Sequence, residues 1–255
     1  MSVNVTLEEL LEAGAHFGHQ ARRWNPKMAQ YLYGVKDGVH VFDLAKTKEA
    51  LDIALDVLAK YAKEGKSILI VGTKKQAKDR VKELAENTDI AFLNERWLGG
   101  TLTNFNQVLN SAKKLLEIEE GLNTGKYSGY TKKERLLLER DAAKLRRNVG
   151  GVTKMLQKPD LIIVIDTHRE VSAVKEAKKV GVVTIGVVDS NADPDMVTYP
   201  IPMNDDASKS LEYVLGVFEK TLLEAKGKNV KKETGKKETK KVKAEEKEEE
   251  FHVAE

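Results

Sequence analysis

The chain has 255 residues, 41% hydrophobic and 33% charged, enough for one large domain with an appendage. It contains no Cys, which excludes a disulfide framework, a thiolate nucleophile and a Cys-based zinc site. The net charge of +3 does not mark a nucleic-acid partner, because residues 226–255 hold ten Lys and eight Glu and leave 33 basic against 32 acidic side chains in residues 1–225; only local clustering of charge could mark one.

The N-terminus lacks the apolar run of a secretory signal and the Arg/Ser-rich bias of a transit peptide. No apolar stretch approaches the roughly 20 residues that cross a bilayer. A cytoplasmic setting is therefore expected. Thr6-Leu7-Glu8-Glu9 has capping-box spacing, and Leu7, Leu10, Leu11 and Ala15 follow at helical intervals. Residues 14–26 are polar and punctuated and read as an ordered loop. Tyr31-Leu32-Tyr33 and Val39-His40-Val41-Phe42 flank Lys36-Asp37-Gly38, the pattern of a hairpin around an Asp-Gly turn.

Strand and helix then alternate. Residues 47–64 carry Ala50, Leu51, Ala54, Leu55 and Leu58 on one helical face, and residues 67–72 form a short apolar run of buried-strand type. A helix is predicted over 75–86 and a short strand at Ile90-Ala91-Phe92. After an interruption, strands at 161–165 and 182–187 bracket a helix over 170–180. A last strand near Tyr199-Pro200-Ile201 leads to a helix over 206–225. Continuous apolar strands alternating with helices predict an α/β fold with a mainly parallel sheet covered on both faces.

In the interruption, Leu102, Phe105, Leu109, Ala112 and Leu116 step by three and four, as do Leu138, Ala142, Leu145, Val149 and Val152. Both are seams of coiled-coil type. The segment 121–129 between them is rich in Gly, Asn, Ser and Thr, Thr131-Lys132-Lys133-Glu134 offers a second capping box, and Gly150-Gly151 ends the second helix. This reads as an antiparallel helical hairpin inserted between strands, the alternative being two ordinary helices packed on the sheet. The expected division is an α/β domain over 1–102 and 153–225, a hairpin over 103–152, and a Lys/Glu-rich tail over 226–255. The tail has almost no apolar side chains to offset ordering entropy, so disorder is expected there.

Several segments could carry chemistry. His16-Phe17-Gly18-His19 places two imidazoles three residues apart, enough for zinc only with further ligands; a hydrogen-bonded loop is the alternative. Arg22-Arg23-Trp24-Asn25-Pro26-Lys27 combines cations that fork onto phosphate with an aromatic face that can stack on a base, or else that can anchor the loop. Gly72-Thr73-Lys74-Lys75 lies between a strand and a helix, where backbone N–H groups attract anions, but it is neither a dinucleotide nor a P-loop motif. Arg96-Trp97-Leu98-Gly99-Gly100-Thr101 repeats the cation–aromatic pairing beside a bend. Arg146-Arg147 is the densest cationic point of the second hairpin helix. The carboxylates of Asp189, Asp193, Asp195, Asp205 and Asp206 can hold a hard cation or form turns and caps.

Read together, Gly14-Ala15-His16-Phe17-Gly18-His19-Gln20, Trp24-Asn25-Pro26-Lys27-Met28, Val71-Gly72-Thr73-Lys74, Arg96-Trp97-Leu98-Gly99-Gly100-Thr101-Leu102-Thr103-Asn104, Pro159-Asp160 and Asp189-Ser190-Asn191-Ala192-Asp193-Pro194 closely resemble the bacterial-type second small-subunit ribosomal protein family. The likeness runs from about residue 5 to residue 225, in order. It implies a flavodoxin-like three-layer parallel sheet with an inserted antiparallel coiled-coil hairpin, no catalytic activity, and a structural place in the small ribosomal subunit. It also implies contacts with small-subunit ribosomal RNA and with neighbouring ribosomal proteins, including the largest, first one.

On that reading Arg22, Arg23, Lys27, Lys74, Lys75, Arg96, Arg146 and Arg147 are the expected RNA-binding residues, meeting phosphates that position without reading sequence. Trp24 and Trp97 would fix where the arginines point. No cofactor is expected and no residue is assigned to a metal, although a structural magnesium near the Asp189–Asp195 loop is compatible with the resemblance. Two other readings are open to the residues alone. One is an α/β enzyme taking a phosphorylated small molecule at the Gly72 turn and His168-Arg169; the other is a helical adaptor that binds only protein.

Overall fold

The computed structural model describes residues 4–227. Helix α1, Leu7–Glu12, starts at the expected capping box: the Thr6 hydroxyl accepts from Glu9 N–H and the Glu9 carboxylate accepts from Thr6 N–H. Strands β2, Leu32–Lys36, and β3, Val39–Phe42, form the expected hairpin. Its two-residue turn puts Asp37 and Gly38 at φ +52° and +76°, the left-handed pair that matches strand twist. Within the segment read as a loop, Phe17–Gln20 is a strand, β1, which pairs antiparallel with β3. Its Phe-Gly-His-Gln sequence has no strand periodicity, so pairing and not propensity makes it extended. Gly18 allows the approach, since a Cβ there would lie 2.9 Å from Ser190 Oγ and 3.2 Å from the His40 carbonyl.

The second sheet is parallel and has five strands: β4, Ile68–Val71; β5, Ala91–Leu93; β6, Leu161–Val164; β7, Val183–Val188; and β8, Tyr199–Pro202. Their order is β5-β4-β6-β7-β8. Numbered within this sheet alone, that is 2-1-3-4-5, the flavodoxin-like doubly wound order, with its switch point between β4 and β6. All residues of β4 and β6 are buried, as the unbroken apolar runs require of strands covered on both sides. Each such Ile, Leu or Val stabilises the fold by about 1.5–3 kcal/mol on burial.

One face of the sheet packs Ile68, Ile70, Ile163 and Ile185 against helices α2, Leu44–Lys63; α3, Lys78–Thr88; and α7, Ser208–Ala225. The other face packs Leu69, Val71, Ile162 and Val164 against α6, Val171–Val180, together with Trp97, Leu102 and Phe105. Those last residues lead into α4, Phe105–Asn123, which packs on α5, Lys132–Val149. The second capping box, Thr131 with Glu134, is present.

On α5 the predicted seam is the inner one, with Ala142 and Val149 buried and Leu138 and Leu145 partly so. On α4 it is displaced. Phe105, Val108, Ala112, Leu115 and Ile118 are buried, whereas Leu116 is 48% exposed. The adjacent Leu115-Leu116 pair lets either stripe be read from sequence. The chain leaves α5 through a short turn, Gly150–Val152, set so tightly on β5 that a Cβ at Gly151 would clash with the Phe92 carbonyl oxygen. The tail whose disorder was expected lies outside the described residues, apart from Lys226 and Gly227.

Candidate functional site

The loops at the carboxyl ends of β4, β6, β7 and β8 carry a buried charge cluster. Lys74, one turn beyond β4, is 8% exposed; its Nζ lies 2.6 Å from Asp205 Oδ1, 2.6 Å from Asp206 Oδ1 and 3.3 Å from Asp166 Oδ2. Burial by itself would lower the Lys74 pKa, but these carboxylates overcome it and raise the value. Asp205 is driven the other way from an ordinary carboxylate: burial, then repulsion from Asp189 and Asp166, push its carboxyl up against the attraction of Lys74. Beside Lys74, Thr73 donates its hydroxyl to buried Glu170, whose pKa is raised by burial, and Arg169 Nε donates to Thr73 Oγ1 at 3.0 Å. The switch-point crevice, where α/β proteins commonly seat a ligand, is therefore lined by side chains already bound to one another.

His19 joins the cluster from β1. Its Nδ1 lies 3.0 Å from Asp189 Oδ1 and its Nε2 3.4 Å from Asp206 Oδ2, and its backbone N–H donates to Ser190 Oγ at 2.8 Å. The adjacent Asp189 carboxylate is the main reason the His19 pKa is raised. One ligand atom each from His19, Asp189, Asp205 and Asp206 falls within 4.8 Å of the others. An imidazole with three carboxylates is a donor set that suits a divalent cation. His16 is not part of this group. Nor are Asp193 and Asp195, the carboxylates of the Asp189–Asp195 loop farther along: they hold Lys27 Nζ at 2.8 and 2.9 Å. Position in sequence hid the set, because His19 and the three Asp residues come from three separate strand ends.

The eight cations singled out by sequence are placed very differently. Lys74 is enclosed, and its charge is engaged by the Asp166, Asp205 and Asp206 carboxylates. Lys27 is exposed but paired as described, and Arg146 is paired with Glu119 at 2.8 Å while remaining 70% exposed. Arg22 is exposed and donates its Nε to Gln20 at 3.1 Å. Arg23, Lys75, Arg96 and Arg147 are exposed and have no ion-pair partner among the described residues. They stand on separate elements: Arg23 after β1, Lys75 before α3, Arg96 beyond β5, and Arg147 near the end of α5. Arg146 and Arg147 border a cleft shared with Phe92 of β5, Asn94 and Lys154. The two Trp residues also differ. Trp24 is 37% exposed and rests at a tilt on His40, ring centroids 4.9 Å apart. Trp97 is buried, and its indole N–H donates to Glu176 at 3.1 Å.

Sequence reading missed Glu176 altogether. Its two carboxylate oxygens accept from Trp97 Nε1, from the backbone N–H groups of Gly100, Leu102 and Thr103, and from the Thr103 hydroxyl, at 2.8–3.2 Å. Burial would raise its pKa, but these donors outweigh burial and lower it. A lone Glu amid the lysines of α6 gave no signal of this.

The family described as ribosomal protein S2 matches residues 10–225. Among curated relatives, a protein of a Nitratiruptor species is 46% identical over 222 residues, 87% of this chain and 83% of the relative. One of Helicobacter hepaticus is 44% identical over 225 residues, 88% of this chain and 85% of the relative. One of Brucella ovis is 46% identical over 206 residues, 81% of each. All three bear the name small ribosomal subunit protein uS2.

Proposed function

The chain belongs to the ribosomal protein S2 family, and from that premise we propose that it is a structural constituent of the small ribosomal subunit that grips ribosomal RNA by its phosphates. The observation that carries the RNA reading is the distribution of exposed, internally unpaired cations. Arg23, Lys75, Arg96 and Arg147 lie on four different elements, a pattern suited to bridging separated stretches of backbone and not to enclosing one small ligand. Arg22, Lys27 and Arg146 flank them and can exchange their protein partners for phosphate. Lys74 holds the strand ends together instead. In this reading α4 and α5 act as a coiled-coil hairpin, residues 103–152, inserted into an α/β domain of residues 1–102 and 153–225, and Arg146-Arg147 at its root serve the same RNA. Neighbouring small-subunit proteins, the largest among them, are the expected protein partners, on cytoplasmic ribosomes. The internally bonded crevice between β4 and β6 favours this scaffold over an enzyme for a phosphorylated small molecule.

The test is sedimentation. The chain should travel with purified small subunits at low salt and be released as salt rises, because phosphate contacts release counterions. Its absence from small subunits isolated under gentle salt would overturn the proposal.

A further inference from the structure

The geometry points to Glu176 as the positioning residue that fixes the root of the helical hairpin to the α/β domain. Through that root it sets where Arg96 stands and how the hairpin is aimed. The RNA consequence rests on the function proposed above; the mechanical one does not.

A helix begins with N–H groups that have no partner inside the helix. The residue preceding α4, Asn104, makes no side-chain cap. The turn just ahead of it, residues 100–103, instead presents three backbone N–H groups and a hydroxyl to one carboxylate from another helix. Glu176 Oε1 takes Gly100 N–H at 2.8 Å and the Trp97 indole at 3.1 Å. Oε2 takes Leu102 N–H at 3.0 Å, Thr103 N–H at 3.2 Å and the Thr103 hydroxyl at 3.2 Å. A negative charge there also meets the positive end of the α4 dipole. Gly100 at φ +92° gives the turn a backbone shape that side-chain-bearing residues rarely adopt.

Apolar contacts complete the joint. Trp97, Leu102 and Phe105 share one core with Ala173, Val174 and Ala177 of α6, the helix that carries Glu176. Such contacts hold the two parts together but tolerate sliding, whereas five directed bonds onto two oxygens define one orientation. The other leg of the hairpin is held where Gly151 meets the Phe92 carbonyl. Without Glu176 the hairpin keeps that second contact and turns about it. Arg96 lies next to Trp97 and moves with the same turn.

The chain has no Cys, so Gly129→Cys near the hairpin's far end and Asp56→Cys on α2 give two unique labelling sites in the full-length protein. Gly129 has open space around it and Asp56 is exposed. Spin-label distances between them should form one narrow distribution with Glu176 and a broad or displaced one in Glu176→Gln. The Gln side chain keeps the size of Glu but sets an amide donor against N–H donors. Hydrogen exchange at the Trp97 indole should quicken by about tenfold or more, equivalent to one charge-assisted hydrogen bond, while Trp24 serves as the unaffected reference. Both measurements are made where circular dichroism shows the variant folded, and Glu176→Asp, which keeps the charge but not the reach, should fall between. Unchanged distances and unchanged indole exchange in folded Glu176→Gln would overturn the proposal. Should the clamp respond as expected while the parent chain fails to bind small-subunit RNA, the proposed function falls and the positioning role stands.

Discussion

Lys74 carries its charge into a buried space shared by Asp166 and Asp205, with the exposed Asp206 carboxylate at its edge. Two groups of opposite sign in such a place are costly to separate, because the survivor keeps its desolvation penalty without its partner. Replacing Lys74 by Met fills the volume but strands the carboxylates. The expected cost is about 3–5 kcal/mol of unfolding free energy. Asp205→Asn should be milder, about 1 kcal/mol. Its carboxyl is already biased toward the neutral form, and the amide oxygen can still face Lys74. Urea denaturation in chelator-containing buffer at neutral pH measures both. A loss for Asp205→Asn equal to or above that for Lys74→Met would show that the ion pair, not the surplus of carboxylate, governs this cluster.

Helix α4 places one apolar stripe against α5 and the α/β core, and the choice of stripe decides which leucine matters. Leu115 is 1% exposed and Leu116 48% exposed, although they are neighbours in sequence. Leu115→Ala should therefore cost about 2–5 kcal/mol, the usual loss on truncating a core leucine. Leu116→Ala should stay within about 1 kcal/mol, since little of it is removed from water. Thermal or urea unfolding of the two variants side by side gives the answer, and equal losses would mean that the stripe is shared. The elements themselves were legible because their signals are local: the apolar runs 68–71 and 161–164, the two Thr-x-x-Glu capping boxes and the Asp37-Gly38 turn each fix a structure within a few residues. The α4 register was not legible, because 3-4 spacing fits either leucine and only the partner surface selects between them. Strand β1 was missed for the same reason, as its backbone partners lie in β3, some twenty residues on.

At the scale of the whole molecule, sequence separation governs what could be read. The carboxylates and imidazole around Lys74 come from positions 19, 166, 189, 205 and 206, and nothing local to any of them announces the others. The sheet order assembles them, because parallel strands deliver all their carboxyl ends to one edge. The same edge receives Lys75 and Arg96, so the face that is stitched together within also carries cations without. On the RNA-binding function proposed above, that geometry would make binding a sum over dispersed contacts, and such a sum has a measurable form. Each phosphate neutralised contributes about −0.7 to −0.9 to the slope of log affinity against log salt. Arg23, Lys75, Arg96 and Arg147 alone then predict a slope of about −3 to −4 for the full chain on small-subunit RNA. Affinity should fall by about 100-fold between 50 and 200 mM salt. Changing any one of the four to Gln should make the slope shallower by about one unit, with little change in sequence preference, and Arg96→Gln with Arg147→Gln by about two. Filter binding or fluorescence anisotropy across a salt series reads these slopes directly. If one substitution abolished binding while the others left the slope untouched, the RNA would be held at a single pocket and the distributed grip would be wrong.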